Sequence, residues 1–202
     1  MTRRHLLETI AAGLTGVGAA PMSLEAAQHV HNAAEQEKRA SGRYTPKFLN
    51  EHEYRTVQRL AELIVPADDV SGSAVDAGAP EFIDLLCSGN AELGDIYSGG
   101  LLWLDSLMRR RYTSTFVDAT PQQQTGIMDE LVAAARAEDA SGELVPGLRF
   151  FNWVSKMTVD AFYTSPIGIK DIGFQGNGVK SEYVVPAEAI EYALKRSPLG
   201  KS

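Results

Sequence analysis

The sequence predicts a mostly α protein: a single compact domain of about five to six helices, with a long ordered Gly-rich loop near the C-terminus. Three observations carry that expectation. Apolar residues recur at i, i+3, i+4 and i+7 in several segments, the spacing of one helical face. Two of those segments open on a capping-box pattern. Neither an alternating strand-like run nor an internal repeat is present. With 202 residues, 44% of them hydrophobic and 22% charged, the chain has enough apolar surface for a conventional core.

Residues 46–202 are expected to hold the helical domain. Asn50, with Glu53 three residues on, forms a capping box ahead of the apolar face Tyr54, Val57, Leu60, Ala61 and Ile64. Pro66 stops that helix, and Asp68 to Gly78 reads as a turn-rich loop. Pro80 suits the first position of a second, short helix through Phe82, Ile83, Leu85 and Leu86. A third runs from Ala91 to Tyr112 on the stripe Leu93, Tyr97, Leu101, Leu104, Met108 and Tyr112. Gly99-Gly100 in its middle cost about 1 kcal/mol each against Ala, which points to a kink or a close helix contact. Arg109-Arg110-Arg111 reads either as a solvated helix end favoured by the dipole or as a phosphate site. Thr120 and Gln123 supply the second capping box, for a fourth helix through Ile127, Met128, Leu131, Val132 and Ala135. A fifth spans Leu148 to Tyr163, and Val185 to Lys195 forms a short terminal helix.

Composition removes much chemistry. A formal charge of −7 opposes nucleic-acid binding, which needs a basic surface. The single cysteine, Cys87, excludes an internal disulfide, a multi-Cys zinc site and a self-contained iron–sulfur cluster. Its place after Leu85-Leu86 predicts burial. Histidine occurs only at His5, His29, His31 and His52, so the main body cannot assemble a histidine-dependent nucleophile or a histidine-rich metal site. His29 and His31 alone are too few for a structural metal site. No run reaches 18 apolar residues, so no standard membrane-spanning helix is expected.

Residues 1–27 read as a twin-arginine leader. Thr2, Arg3, Arg4, Leu6 and Leu7 fit the export pattern, with a mild Ala/Gly-rich run from Ile10 to Ala20 behind them. Leu6 stands where Phe is common and Glu8 where Lys is common. Gly18-Ala19-Ala20 has the small residues of a cleavage site, but Pro21 follows directly. Residues 28–45, polar and without sustained period, are expected to be a linker or arm.

The C-terminal third is the most distinctive part. Phe150, Phe151, Trp153, Phe162, Tyr163, Phe174, Tyr183 and Tyr192 are eight of the chain's sixteen aromatics. After the fifth helix, Thr164 to Gly178 carries four glycines and Pro166, which predicts a shaped loop rather than helix. Ile167, Ile169, Ile172 and Phe174 give that loop apolar anchors that something must cover. A phosphate-cradling role fails, because no Gly-Lys-Ser/Thr ending and no strand–turn–helix context surround it.

The run from Met157 through Phe162-Tyr163-Thr164-Ser165 to Gln175-Gly176-Asn177 resembles the gluconate 2-dehydrogenase subunit 3 family. Ile64-Val65-Pro66-Ala67-Asp68 and Ala77-Gly78-Ala79-Pro80-Glu81-Phe82 resemble that family's first-helix exit and second-helix entry. The likeness covers about residues 46–180 together with the leader. Asp160-Ala161 and Phe174 depart from it, where a Glu-Gly-like pair and Tyr are usual. The resemblance implies a non-catalytic small subunit that holds no cofactor or metal and has no catalytic residues of its own. Its expected partner is a large FAD-dependent (GMC-type) dehydrogenase of sugars, sugar acids or polyols, which a cytochrome c subunit can complete. The small subunit would escort that partner through the twin-arginine translocase into the periplasm, with membrane association if the leader is retained.

The expected partner contact comprises Phe150, Trp153, Tyr163, Thr164, Ser165, Ile167, Ile169, Ile172, Phe174, Gln175 and Asn177, since interface cores favour aromatic and apolar side chains over charge. Phe151, Val154 and Phe162, on one helical face, are instead expected in the chain's own core. Two other readings stand beside this one. Asp68, Asp69, Asp76, Glu81 and Asp84 could supply the paired carboxylates of a free-standing carbohydrate-active enzyme. An uncut leader with residues 28–45 as tether would make a membrane-tethered binding module.

Overall fold

The computed structural model describes residues 24–137, 141–174 and 185–196. They form eight helices and, among the described residues, no strand. In chain order these are α1 (Leu24–Ser41), α2 (Glu51–Ile64), α3 (Ala79–Gly89), α4 (Ala91–Tyr112), α5 (Pro121–Arg136), α6 (Val145–Thr164), α7 (Pro166–Asp171) and α8 (Ala187–Arg196). The aromatic-rich α6 is the central post, and α1 to α5 and α7 all pack against it. No helix of the described residues is long and apolar enough to cross a membrane.

Both capping boxes form. Asn50 Oδ1 accepts from the Glu53 amide at 3.0 Å, and Glu53 Oε2 accepts from the Asn50 amide at 2.9 Å. Thr120 and Gln123 do the same at the start of α5. Each pair satisfies two amides that the first helical turn leaves without partners. Gly78 enters α3 at φ +78°, a left-handed turn that glycine takes without steric penalty.

The Gly99-Gly100 pair resolves into a close contact. A Cβ at Gly100 would lie 2.1 Å from the Phe150 side chain, whereas one at Gly99 would meet nothing within 4 Å. Phe150 reaches this slot edge-on to Tyr97, with ring centroids 5.5 Å apart, so the missing side chain at Gly100 is what lets α4 approach α6. Cys87 is buried, as its apolar setting suggests, and burial pushes its thiol up to about 12.

Two segments differ from expectation. Residues 28–45 are not a linker throughout, because α1 continues to Ser41. Its apolar line is short and small: Ala27 and Ala34 are buried and Val30 is half-buried. Polar contacts do the rest of the anchoring. Lys38 Nζ pairs with Glu81 at 2.9 Å, and Lys47 pairs with Glu37. Hydrophobic periodicity carries no trace of such contacts. Pro166–Asp171 is likewise a helical turn rather than loop. Ser165 caps it, its Oγ accepting from the Gly168 amide at 3.1 Å, and Pro166 sits in the first turn. A Cβ at Gly168 would stand 2.1 Å from the Phe162 carbonyl oxygen, so this glycine serves close backbone approach, and Gly173 at φ +64° follows the turn. The leader and the Gln175–Gly178 part of the expected loop lie outside the described residues.

The adjacent glycines make a paired test by urea denaturation. Gly100→Ala should lose roughly 1–3 kcal/mol through overpacking against Phe150. Gly99→Ala should be neutral or gain up to about 1 kcal/mol from helix propensity.

Candidate functional site

The acidic stretch considered for paired-carboxylate chemistry is a structural hub. Asp84, on α3, is fully buried. Its Oδ2 accepts from the Tyr44 hydroxyl at 2.7 Å and the Lys47 amide at 2.6 Å; Oδ1 accepts from the Phe48 and Leu49 amides at 3.1 and 2.8 Å. Four donors on one carboxylate fix the strand-less segment 44–49 and aim the chain into α2. Burial and this charge raise the Tyr44 phenol far above its ordinary range, and burial with the Glu81 charge does the same to Tyr54. Asp76 accepts from the Ser73 amide at 2.7 Å and hydroxyl at 2.8 Å, which holds its carboxyl below the usual value. Asp68 caps a turn by accepting from the Val70 and Ser71 amides. Glu81 is held by Lys38. These side chains organise backbone, and among the described residues no group of three or more metal-ligating side chains gathers.

A second buried acid, Asp105, plays the same part across the bundle. It meets His52 Nε2 at 2.6 Å and accepts from the Phe116 amide at 3.0 Å. The arginine triplet serves as a clamp at the end of α4. Arg111 holds Glu130 and Glu143, each at 2.7 Å, while Arg109 and Arg110 approach Asp105 and Glu143. The Arg111 guanidinium, in turn, lowers the Glu143 carboxyl.

The expected partner-contact residues separate by depth. Phe150 and Ser165 are 3% and 1% exposed, which removes them from any contact surface: the ring fills the Gly100 slot and the hydroxyl caps α7. Phe151, Val154 and Phe162 are core, as expected. Trp153, Tyr163, Thr164, Ile167 and Ile169 are half-buried. Ile172 and Phe174 stand out at 58% and 50% exposure, at the exit from α7 where the chain leaves the bundle. Gln175, Asn177, Arg3 and Arg4 lie outside the described residues.

Beside this exit a groove of about 530 Å³ runs between α1 and the α6–α7 junction, with Lys38 and Glu35 on one wall and Pro166, Ile167 and Ile169 on the other. His31 reaches across its floor. Its Nε2 lies 3.1 Å from Thr164 Oγ1 and its ring packs on Phe82 at 4.9 Å. Burial is the leading influence on this imidazole and lowers its pKa, against the opposing pull of the Ala161 backbone, Glu35 and Glu81. The sequence weighs His31 only with His29, as a metal pair too small to matter, because it places both on a linker. The one available signal was the line Ala27, Val30, Ala34, about two turns of small apolar side chains at helical spacing.

A family model described as Gluconate 2-dehydrogenase subunit 3 matches residues 51–178. No curated protein and no solved structure gives a significant match. The matched stretch runs from the start of α2 to just past the exit from α7, so α1 and α8 fall outside it.

His31 makes the seating of α1 sensitive to acid. Its folded pKa lies below the ordinary 6.5, so the unfolded chain binds the proton more readily; this contribution is intact above about 6.5 and declines as pH falls through that value. Hydrogen exchange, corrected for intrinsic rates, should show α1 amides less protected at pH 5 than at pH 7.5 relative to α4. His31→Gln should flatten that difference.

Proposed function

The chain belongs to the gluconate 2-dehydrogenase subunit 3 family, and we propose that it is the non-catalytic small subunit of a periplasmic FAD-dependent dehydrogenase complex acting on sugars or sugar acids. In this reading the large GMC-type subunit carries FAD and the reacting residues, and a cytochrome c subunit can accept its electrons. The small subunit binds the flavoprotein and, through Arg3 and Arg4, takes it folded through the twin-arginine translocase.

The observation that carries the docking part is the apolar exit from α7. Ile172 and Phe174 are large, exposed and two residues apart near the end of the family-matched stretch. Isolated exposed apolar residues are ordinary, but two at one fixed chain exit make an anchor pair of the kind interface cores use. Support for a non-catalytic role comes from the acidic cluster: Asp68, Asp76, Glu81 and Asp84 all hold backbone or a lysine. Of the five carboxylates named for the carbohydrate-active alternative, only the exposed Asp69 has no such structural task, which favours the accessory reading.

Co-expression with the large flavoprotein provides the test. The wild-type chain should co-purify with it, and Ile172→Asp with Phe174→Asp should weaken the complex roughly 50-fold, given about 1–1.5 kcal/mol per half-exposed anchor. The doubly substituted chain should keep its helical circular dichroism. Replacing Arg3 and Arg4 by Lys should retain both subunits in the cytoplasm. Sugar oxidation by the small subunit alone would overturn the reading.

A further inference from the structure

The exit that carries Ile172 and Phe174 is held through its backbone. The Ile172 amide donates to the Gly168 carbonyl and the Phe174 amide to the Ile169 carbonyl, each at 3.2 Å, while both side chains are at least half exposed. These bonds are only as firm as α7, and a six-residue helix does not stand by itself in water. Its support is the end of α6. Gly168 is pressed against the Phe162 carbonyl, where a Cβ would stand 2.1 Å away. Ser165 Oγ donates to that same carbonyl at 2.6 Å and accepts from the Gly168 amide. The last turn of α6 thus decides which way the exit points.

That turn is gripped from outside by α1. His31 Nε2 lies 3.1 Å from Thr164 Oγ1, on the final residue of α6. The Thr164 proton is already committed, because Oγ1 donates to the Asp160 carbonyl at 2.7 Å. A hydroxyl has one proton, so toward His31 it can only accept, and Nε2 must be the nitrogen that carries hydrogen. The Ala161 backbone also interacts with the imidazole. The ring itself rests on Phe82 of α3, a core residue, with centroids 4.9 Å apart. We infer that His31 is a positioning residue: from α1 it braces the Thr164 turn at the end of α6 and so sets the direction in which α7 presents Ile172 and Phe174. His31 stands outside the family-matched residues 51–178, whereas the turn and the exit stand within them. The consequence for binding rests on the proposed function, in which the exit meets the large subunit; the effect on the exit itself does not.

His31→Ala, His31→Gln and Thr164→Val in the full chain test this at pH 7.5. Gln keeps an N–H donor at about the reach of Nε2, so it should preserve the brace that Ala removes. On the free chain, the amides of residues 168–174 should exchange hydrogen roughly fivefold faster in His31→Ala, the loss of one half-buried hydrogen bond, with α4 unchanged. His31→Gln should stay close to wild type. Thr164→Val should speed the same amides, and adding His31→Ala to it should change them little further, because the two groups act as a unit. Affinity for the large flavoprotein should fall in the same order. An exit unchanged in His31→Ala, loosening confined to α1, equal loss in His31→Gln, or additive effects in the double variant would each overturn the inference. A wild-type chain that never captures the flavoprotein would instead remove the docking reading, and exchange on the free chain would still decide the brace.

Discussion

The fold depends on a buried carboxylate. Asp84 sits within the core on α3 and collects three backbone amides and a tyrosine hydroxyl from the segment between α1 and α2. An ionised side chain is costly to bury without partners, and removing one member of such a set leaves the others unsatisfied. Here both oxygens are shared among donors, so the cost is offset and the geometry is fixed. Asn50 caps α2 one residue after Leu49, so the same anchor sets where α2 begins. Asp105 repeats the device, tying the start of α2 and the turn at Phe116 to α4. The bundle is thus pinned at two points by buried acids, and the apolar packing around α6 fills the space between them.

Much of this was legible in the sequence, and the reasons differ by element. The two capping boxes and the stripe on α4 are local signals, set by residues three or four apart, and the structure reproduces them. Gly100 was legible as an anomaly, since a glycine in a helix interior needs a reason; its partner Phe150, fifty residues away, was not. The helical state of α1 escaped because its anchoring is polar and long-range, from Lys38 to Glu81 and from His31 to Thr164. The α7 turn escaped because glycine and proline counts suggest loop, whereas Pro166 and Gly168 occupy helical positions that favour them.

At the candidate site the same distinction holds. Composition marked the 150–174 region as unusual but could not rank its residues by depth. Phe150 and Ser165 proved internal, while Ile172 and Phe174 remained outside. The acidic cluster misled in the opposite way: Asp84 looked like a surface charge available for chemistry, and its four donors came from a segment that contains no charge pattern pointing to it.

In the resulting picture buried acids fix the architecture of a small helical domain, and the apolar α7 exit is the proposed contact for a large partner. The central claim is that this chain acts by docking. Hydrogen exchange on the free chain and on its complex with the large flavoprotein tests it most directly. Slowed exchange confined to residues 163–174, with α4 unchanged, is the predicted result. An unchanged exit with new protection around Leu102 on α4, a leucine that is 68% exposed, or no protection anywhere, would contradict it.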